Sequence, residues 1–237
     1  MDKIKYLSRI QLFGELELEE LKKFEPVTPI NVIKKGTIIS SPHMDKKVLY
    51  LIKSGKVRLY KLSAGGKELT IDILGTGHVF GEIGSFTTGS GNMYAETLED
   101  CVICTIDKVQ FEKIIHDQPS VSLKFIEIVS NRLKDVEELL EYMAYSSVRK
   151  RLLFLLHKLA EKFGAELPNG KLDEENWIQL EISITHQELA MMMGSIRETV
   201  TSLLNDLTAE GIVRKARNRK LIKIHVARLK SALEEER

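Results

Sequence analysis

The sequence predicts an α+β protein: an antiparallel β-roll, then a long dimerisation helix, then a winged helix-turn-helix. Three observations predict this class. Short β-branched runs punctuated by glycine fill residues 30–111, an apolar heptad seam follows Pro119, and a strand, two helices and a basic hairpin come last. With 237 residues, the chain is long enough for more than one domain. We expect a sensor roll over residues 1–118, the dimerisation helix over 119–145 and the helix-turn-helix domain over 146–237.

The first region combines one short helix with many short strands. Leucines and acidic residues recur at helical spacing from Leu16 to Phe24, and Pro26 and Pro29 are expected to end that helix. Glycine turns then separate apolar runs of strand length, which indicates an antiparallel barrel or roll. The predicted strands are Val48–Ile52, Lys56–Leu62, Leu69–Ile73, His78–Phe80, Tyr94–Thr97 and Cys101–Ile106. The helical pattern returns near Lys108.

The helix after Pro119 carries an apolar seam. Steps of 3 and 4 residues alternate between its members, which are Ile126, Val129, Leu133, Val136, Leu140 and Met143. Such a repeat favours pairing with a second copy of the same helix. The alternative is that the seam packs on the β-roll of its own chain. The helix can also make both contacts, because it has a second apolar edge, formed by Leu123, Phe125, Ile128 and Leu139.

The last region has the element order of a winged helix-turn-helix. A helix is predicted over Val148–Phe163 and a strand over Trp177–Ile182. Residues 184–207 then form two helices that meet at a tight turn, Met193-Gly194-Ser195. The chain ends in a hairpin whose strands are residues 212–214 and 221–224, with its turn at residues 216–219.

Two helix caps are predicted at the helix-turn-helix. Thr185 and Glu188 have the spacing of a capping box at the start of the first helix. Gly194 allows the sharp turn between the helices, and Ser195 is expected to cap the second one.

The second helix leaves polar side chains at its N-terminal end, the end that enters the major groove in helix-turn-helix proteins. The predicted base-reading residues are Arg197, Glu198, Thr201 and Ser202. Arginine can bond to guanine, glutamate can accept from a cytosine amine, and short hydroxyls can reach a base or a phosphate. The alternative is a capped amphipathic helix without a partner, against which the adjacent basic hairpin argues.

Positive charge is concentrated near the C-terminus. Residues 146–237 hold 16 Lys and Arg against 13 Asp and Glu, whereas the preceding residues hold 19 against 21. Six of the ten residues from Arg214 to Lys223 are basic, which suits the phosphates of a duplex. The predicted backbone contacts are Thr185, Ser195, Arg149, Lys150, Arg214, Lys215, Arg217, Arg219 and Lys220.

These motifs resemble the cyclic-AMP receptor protein / fumarate and nitrate reduction regulator (CRP/FNR) family. Residues 194–200, Gly-Ser-Ile-Arg-Glu-Thr-Val, resemble its recognition motif, while Lys53-Ser-Gly-Lys-Val57 and Gly77-His-Val-Phe-Gly-Glu82 resemble its cyclic-nucleotide-binding-like roll. The resemblance covers nearly the whole chain and implies that Arg197 and Glu198 are the base-reading pair. The cyclic-AMP receptor protein has a further base-contacting arginine where this chain has Ser202, so a related but different half-site is expected.

The resemblance also argues against cyclic AMP as the effector. Members that bind it hold the phosphate with an arginine and a serine, at positions occupied here by Asn92 and Met93. The adenine-contacting pair of the dimerisation helix corresponds to Val136 and Glu137. The effector therefore stays unidentified, and its existence stays open. The positions expected to line its pocket are Gly81, Glu82, Asn92, Met93, Tyr94, Val136 and Glu137.

Iron–sulfur and haem sensing are not expected either. An iron–sulfur sensor of the family needs four cysteines, and the chain has only Cys101 and Cys104. Their spacing within a strand predicts buried side chains on opposite faces, although metal or redox chemistry is an alternative for such a pair. Haem-sensing relatives have ligands in or beside the segment equivalent to Phe80–Ile83, which contains none here. The scattered His43, His78 and His116 are not expected to bind a metal.

The sequence favours a cytoplasmic, homodimeric transcription regulator over an enzyme or a membrane protein. It has no phosphate loop, nucleophile elbow or His-Glu-x-x-His run, no apolar stretch of about 18 residues, and no signal-peptide core at its start. The expected partners are duplex DNA with a near-palindromic operator, a second copy of the chain, RNA polymerase and a small-molecule effector. The alternative is a cyclic-nucleotide-binding-like adaptor that does not bind DNA.

Overall fold

A computed structural model of the protein describes residues 7–24, 30–44, 47–145, 147–165, 176–215 and 221–235. The chain divides into two compact units, residues 1–136 and residues 137–237. Pro26 and Pro29, predicted to end the first helix, lie outside the described residues, as does the hairpin turn at 216–219. Within the described ranges, every helix is too short or too polar to cross a lipid bilayer.

Two antiparallel sheets form the β-roll of the first unit. Their strands are β1 (Ile30–Ile33), β2 (Ile38–Ser40), β3 (Leu49–Ser54), β4 (Val57–Leu62), β5 (Glu68–Leu74), β6 (Val79–Ile83), β7 (Phe86–Thr87), β8 (Tyr94–Thr97) and β9 (Cys101–Ile106). One sheet has the order β1-β9-β3-β6-β7 and the other has the order β2-β8-β4-β5. The six predicted strands are confirmed. Strands β1, β2 and β7, of four, three and two residues, were not predicted.

The five-stranded sheet separates two apolar clusters of the first unit. Along β3, Leu49 and Leu51 belong to the first cluster, whereas Tyr50 and Ile52 belong to the second. Alternate residues of a strand point to opposite faces, so one strand contributes to both clusters. Cys101 and Cys104 follow the same rule on β9: both are buried, in the second and first cluster respectively, as predicted.

Seven α-helices and a short 3-10 helix, Gln11–Phe13, are described in the two units. The α-helices are α1 (Leu18–Phe24), α2 (Lys108–Asp117), α3 (Ser120–Tyr145), α4 (Val148–Phe163), α5 (His186–Met193), α6 (Arg197–Ala209) and α7 (Val226–Glu235). Helix α1 begins two residues later than predicted, and α4 has the predicted bounds. Helix α7, which buries Leu229 in the second unit, was not predicted.

Helix α3 presents two different apolar faces. Phe125 is buried against the first cluster, where its ring meets those of Phe86 and Phe111 at centroid distances of 5.9 and 5.4 Å. Leu123, predicted to share this edge, is instead 72% exposed. It lies two residues, about 200° around the helix, from Phe125 and therefore points away from the roll.

The predicted seam lies on the open side of α3. Ile126 and Leu133 are each 59% exposed, and Leu140 is 63% exposed. Of the six seam residues, Val129 is the one that packs, half-buried, against the first cluster. Among the seam residues, packing on the roll of the same chain, which was the alternative prediction, is therefore found for Val129 alone. The rest is an apolar stripe available to a second helix.

The second unit contains a small sheet and the remaining helices. Its strands are β10 (Trp177–Gln179), β11 (Val213–Lys215) and β12 (Ile222–His225), in the order β10-β12-β11. The predicted strand over residues 177–182 is shorter in the structure, because Leu180 forms only an isolated bridge to Gly164. The predicted order of strand, helix, turn, helix and hairpin is confirmed.

We expect the native protein to resist thiol reagents. Cys101 and Cys104 are both fully buried, and burial raises the pKa of the Cys101 thiol, which keeps it in the unreactive protonated form at neutral pH. Ellman's reagent at pH 7.5 should therefore label neither cysteine in the native chain and both after denaturation in urea. Rapid labelling of the native protein would contradict the buried assignment.

We expect Leu133→Asp to convert a dimer to a monomer. The substitution puts a charge in the middle of the exposed seam, where pairing of two helices would bury it. Light scattering coupled to size exclusion measures the mass. Lys134→Asp, at the next exposed position of α3, is the control and should leave the oligomer intact. An unchanged mass for the Leu133 variant would exclude the seam as the dimer contact.

Candidate nucleic-acid interface

Helix α5 begins with the predicted capping box. The amide N–H of Glu188 donates to Oγ1 of Thr185 at 3.1 Å, and the amide N–H of Thr185 donates to Oε2 of Glu188 at 2.6 Å. Two amides that have no partner inside the helix are satisfied in this way. The local sequence therefore sets where the first helix of the pair begins.

The turn between α5 and α6 is closed by backbone hydrogen bonds. Gly194 adopts a left-handed conformation, with φ of 62° and ψ of 38°. The amide N–H groups of Gly194 and Ser195 both donate to the carbonyl oxygen of Ala190, the latter at 2.9 Å. This is a glycine-based C-terminal cap of α5.

The predicted cap at Ser195 is wrong. Ser195 serves the end of α5 through its backbone, so α6 starts later, and Ile196 takes the N-cap position without a side-chain hydrogen bond. Serine, threonine, aspartate and asparagine are the usual N-caps, because their oxygens accept from the free amides of the first turn. Those amides of α6 therefore have no side-chain cap of their own.

The N-terminal end of α6 exposes three of the four predicted base-reading side chains. Arg197, Glu198 and Ser202 are exposed. Thr201 differs, since it is half-buried, donates to the carbonyl oxygen of Arg197 at 2.9 Å, and lies 2.8 Å from Nδ1 of His186. Because this hydroxyl already donates to Arg197, Nδ1–H of His186 is the donor to it. Thr201 thus links α5 to α6.

Ile196 is a further candidate contact, which was not predicted from the sequence. Its side chain is 59% exposed, directly before Arg197 at the tip of α6. An exposed apolar side chain at this point can meet the methyl group of a thymine in the major groove. The available signal was an isoleucine between Ser195 and Arg197, where the start of a helix favours a polar cap.

The predicted phosphate contacts fall into groups with different surroundings. Thr185 uses its hydroxyl in the capping box, and Ser195 is half-buried in the turn. The guanidinium carbon of Arg214 lies 4.0 Å from the ring centroid of Trp177. Lys150 is half-buried near the start of α4 and Lys215 ends β11, whereas Arg217, Arg219 and Lys220 lie outside the described residues.

Arg149 lies far from the tip of α6. Its Nη2 donates to Oε2 of Glu210 at 2.6 Å, and Glu210 directly follows the last residue of α6. Arg197 lies at the other end of this helix, about 20 Å away at 1.5 Å per residue. The ion pair joins α4 to the C-terminal end of α6, which gives Arg149 a structural partner that its sequence position did not suggest.

Two other arginines, Arg151 and Arg228, bind backbone carbonyls at the ends of α5 and α6. Nη1 of Arg151 donates to the carbonyl oxygen of Met193 at 3.2 Å, and Nη1 of Arg228 donates to the carbonyl oxygen of Glu210 at 3.2 Å. Carbonyls at helix ends lack partners within the helix, and a nearby cation satisfies them. These contacts fix the ends of α5 and α6, and neither was predicted from the sequence.

The end of α3 contacts the same turn. A Cβ atom added to Gly194 would lie 3.1 Å from Cε of Met143, and Nη1 of Arg151 lies 3.7 Å from Sδ of Met143. The ring of Tyr142 also stacks on that of Phe154 in α4 at a centroid distance of 3.8 Å. The last seam residue therefore touches the turn of the helix-turn-helix.

Part of the predicted effector site comes together in the roll. Gly81 has φ of 109°, its amide N–H donates to Oγ of Ser90 at 2.7 Å, and its carbonyl oxygen accepts from Oγ1 of Thr88 at 3.0 Å. The carboxylate of Glu82 lies against Gly91, so closely that a Cβ there would clash with it. The loop between β7 and β8 is thereby closed onto Gly81.

The other predicted effector positions have different surroundings. Met93 packs half-buried against the second cluster, and Asn92 is exposed. Tyr94 points the other way, because it alternates with Ala95 of that cluster and stacks on Tyr60 at a centroid distance of 5.2 Å. Val136 and Glu137 are both exposed on α3.

In the part of the chain that the structure describes, no group of three or more His, Cys, Asp or Glu side chains is arranged to hold a metal ion. His78 is half-buried, and its Nδ1 lies 3.1 Å from the carbonyl oxygen of Gly75. His43 and His116 are exposed.

These features define a class: a β-roll protein with a winged helix-turn-helix, in which Arg197 and Glu198 are exposed at the start of α6. The family model described as "Cyclic nucleotide-binding domain" matches residues 30–118, and the "Crp-like helix-turn-helix domain" matches residues 150–232. The chain belongs to the CRP/FNR family of transcription regulators and is a DNA-binding regulator of the kind that acts as a dimer.

Relatives from several bacteria support this membership. The chain is 30% identical over 168 residues to the cyclic AMP receptor protein of Thermus thermophilus, covering 71% of each chain. It is 28% identical over 190 residues to the anaerobic regulatory protein of Bacillus subtilis, covering 80% of this chain and 77% of the relative. A solved structure of a CooA mutant from Carboxydothermus hydrogenoformans superposes with a TM-score of 0.72 at 26% identity, covering 88% of each chain.

We expect Gly194→Ala to destabilise the second unit by about 1–2 kcal/mol, since a residue with a Cβ pays a steric penalty in the left-handed region. Urea unfolding followed by the fluorescence of Trp177, the single tryptophan, measures this loss. Gly194→Asn is the matched control, because asparagine tolerates this conformation better, and it should lose less. If both variants lost the same free energy of unfolding, the loss would come from the contact with Met143 and not from the left-handed backbone.

Proposed function

We propose that the protein reads a near-palindromic operator as a homodimer, through Arg197 and Glu198 on two copies of α6. The observation that supports this proposal is that both side chains are exposed at the N-terminal end of α6. The closed turn at Gly194 fixes where that helix starts and how it is oriented relative to α5. A two-fold dimer would direct both tips to half-sites about 34 Å apart on one side of a duplex.

The base-reading chemistry follows from the side chains. Arg197 can donate two parallel hydrogen bonds to guanine O6 and N7, Glu198 can accept from the amine of cytosine, and Ser202 can reach a base or a phosphate. Thr201 has a positioning role in this proposal, because its hydroxyl is engaged with His186 and Arg197. Ile196 adds an apolar contact with a thymine methyl.

The phosphate contacts are proposed on both sides of the tip. Ser195 and Thr185 border the turn, and the basic hairpin with Arg214, Lys215, Arg217, Arg219 and Lys220 would follow the backbone of the duplex. Lys150 remains in this set. Arg149 is a weaker member, because it is paired with Glu210 at the far end of α6.

The regulatory part of the proposal runs through α3. We propose a sensor role for residues 1–118, dimerisation by 119–145 and DNA binding by 146–237. A signal at the roll would change how α3 pairs with its twin. Met143 would then pass the change to the turn at Gly194, which it touches. RNA polymerase is the proposed target of the bound dimer, and the bacterial cytoplasm, where the chromosome lies, is the proposed location.

The effector of this proposal differs from cyclic AMP. Asn92 and Met93 offer no cation for a cyclic phosphate. The proposed effector positions in the roll are Gly81, Glu82, Asn92 and Met93, and Tyr94 is less suited because it faces away from the second cluster. The match of residues 150–232 to a DNA-binding domain favours this function over an adaptor that leaves DNA unbound.

We expect Arg197→Ala to remove base reading without removing phosphate binding. An operator is first selected from a random duplex library with the wild-type protein. The variant should lose about 1–3 kcal/mol per half-site on that operator, while its binding to unrelated duplex and its salt dependence change little. Titrations at several salt concentrations measure both quantities.

Two further variants serve as controls for this titration. Arg9→Ala, which removes an exposed arginine of the first unit, should bind like the wild type. Arg219→Gln, in the predicted hairpin, should weaken all duplexes alike and reduce the salt slope by about one unit per protomer, or about two units for the dimer. The proposal would be overturned if the wild-type dimer selected no sequence and bound no duplex at low salt.

We expect one thymine of the operator to be read through its methyl group by Ile196. Replacing that thymine by uracil removes only the methyl and should weaken binding by about 0.8 kcal/mol, or about fourfold per half-site. The variant Ile196→Ser should bind the thymine and uracil operators equally. A uracil penalty of the same size in this variant would assign the methyl contact to another residue.

A further inference from the structure

His186 is a polar side chain of the helix pair to which the predicted DNA contacts assign no role. It is the first residue of α5 and is half-buried. Its Nδ1 atom lies 2.8 Å from Oγ1 of Thr201, which is 15 residues later in the sequence and about one turn into α6. A side chain at the start of the first helix therefore reaches the beginning of the helix that carries the proposed base-reading residues.

Helix α6 lacks the side-chain cap that other helices of the chain have. Asp107, Ser147 and Thr185 accept hydrogen bonds from amides in the first turns of α2, α4 and α5. Ile196 occupies the same position before α6, and its side chain has no oxygen to accept such a bond. The first turn of a helix has amides without partners in the helix, and an uncapped turn is less stable. The turn that carries the proposed base-reading pair therefore needs support from outside α6.

The hydroxyl of Thr201 provides this support, because it connects two elements. Its Oγ1 donates to the carbonyl oxygen of Arg197, the first residue of α6, at 2.9 Å. A hydroxyl has one proton, which is used in this bond, so Nδ1–H of His186 is the donor in the contact between the two side chains. A chain of two hydrogen bonds thus runs from the ring of His186 through Thr201 to the backbone of Arg197.

Thr208 shows the same local bond without a second helix. Its Oγ1 donates to the carbonyl oxygen of Leu204, four residues earlier, at 2.6 Å near the opposite end of α6. A threonine in a helix divides its hydroxyl between two rotamers, because one of them makes this bond. Within the described ranges, no side chain of another helix donates to Thr208, whereas the ring of His186 donates to Thr201. The donor from α5 therefore selects the bonded rotamer at the start of α6.

We infer that His186 is a positioning residue for base reading. Its ring holds Thr201, and through it the first turn of α6, in place of the side-chain cap that this helix lacks. The inference rests on the proposed function, and it assigns part of the sequence specificity to a side chain that acts without contacting a base. Hydrogen bonds to a base weaken steeply when the angle changes, whereas attraction to phosphates acts over a longer range. A loose first turn would therefore reduce discrimination between sequences more than general binding to duplex.

Two substitutions break the chain of hydrogen bonds at different atoms. His186→Leu removes the donor, and Thr201→Val removes the hydroxyl with little change of volume. The loss of one hydrogen bond should lower the ratio of operator affinity to unrelated-duplex affinity by about fivefold per half-site. The affinity for unrelated duplex and its salt dependence should stay close to those of the wild type. Titrations of the full-length variants with the operator selected by the wild-type protein, at several salt concentrations, measure these quantities.

Conservative variants separate positioning from a general structural role. His186→Asn keeps an N–H donor close to the place of Nδ1, and Thr201→Ser keeps the hydroxyl, so both should retain most of the discrimination. The double variant His186→Leu/Thr201→Val should lose no more than either single variant, because both substitutions break the same chain. Thr208→Val is the matched control, since it removes the equivalent bond near the far end of α6, and it should discriminate like the wild type.

The imidazole ring gives a second readout that does not depend on DNA. When His186 is neutral, its proton is expected on Nδ1, since that nitrogen is the donor to Thr201. Nitrogen-15 spectra of the histidine rings at alkaline pH distinguish the two neutral tautomers. The signals that disappear in His186→Asn identify this ring among the six histidines of the chain. We expect the Nδ1–H tautomer in the wild-type protein.

The outcomes separate this inference from its rivals and from the proposed function. Equal weakening of all duplexes by His186→Leu, with a smaller salt slope, would make His186 a phosphate contact and overturn the inference. Additive losses in the double variant, or a loss in Thr201→Val alone, would make Thr201 a direct base contact and overturn it as well. Unchanged discrimination in both single variants, an Asn variant no better than the Leu variant, or a neutral ring protonated on Nε2 would have the same consequence. A wild type that prefers no sequence would overturn the proposed function, while the tautomer would still report the contact between α5 and α6.

Discussion

An apolar stripe on a long helix is the constraint on which the rest of this molecule depends. Helix α3 buries Phe125 in its own roll, yet it leaves Ile126, Leu133 and Leu140 more than half exposed. Burying such a side chain stabilises a structure by about 1.5–3 kcal/mol, so two copies of the helix gain several such contributions when they pair. A dimer follows from this stripe, and in the proposed function the dimer places two copies of α6 against two half-sites of one duplex.

Polar contacts within the second unit fix α5 and α6 relative to each other and leave a few side chains of α6 exposed. The capping box of Thr185 and Glu188, the closed turn at Gly194 and the hydrogen bond between His186 and Thr201 hold the two helices in one arrangement. Arg151 and Arg228 satisfy carbonyls at the helix ends. Arg197 and Glu198 remain exposed on this rigid support. A side chain on a rigid element recognises a base with little loss of conformational entropy, which favours specific binding.

The roll combines a family architecture with its own electrostatics. Its glycine loop closes on Gly81 through Ser90 and Thr88, while the loop positions that would neutralise a cyclic phosphate are Asn92 and Met93. On α3, the Nη2 atom of Arg132 is buried and has no hydrogen-bond partner among the described residues.

The sequence by itself determined the elements and their order, because these depend on local spacing. Alternation and glycine turns predicted six strands of the roll, and steps of 3 and 4 residues predicted the seam. The pair Thr185 and Glu188 predicted a cap that the structure contains. Tertiary structure decided which polar groups find partners. Arg149 forms an ion pair with Glu210, 61 residues later in the sequence. The amide of Ser195 donates to a carbonyl of α5, and Ile196 occupies the N-cap position of α6.

Tertiary structure also decided which faces are open. Leu123 and Phe125 are both apolar and close in sequence, yet only Phe125 meets the roll, since the rotation of the helix relative to the sheet selects one of them. Tyr94 turns away from the second cluster because its strand register assigns the inner face to Ala95. Arg132 looked in the sequence like any arginine on a charged helix. Its Nη2 atom is buried without a hydrogen-bond partner in the described ranges, because residues distant in the chain pack around it, and local spacing carries no record of that packing.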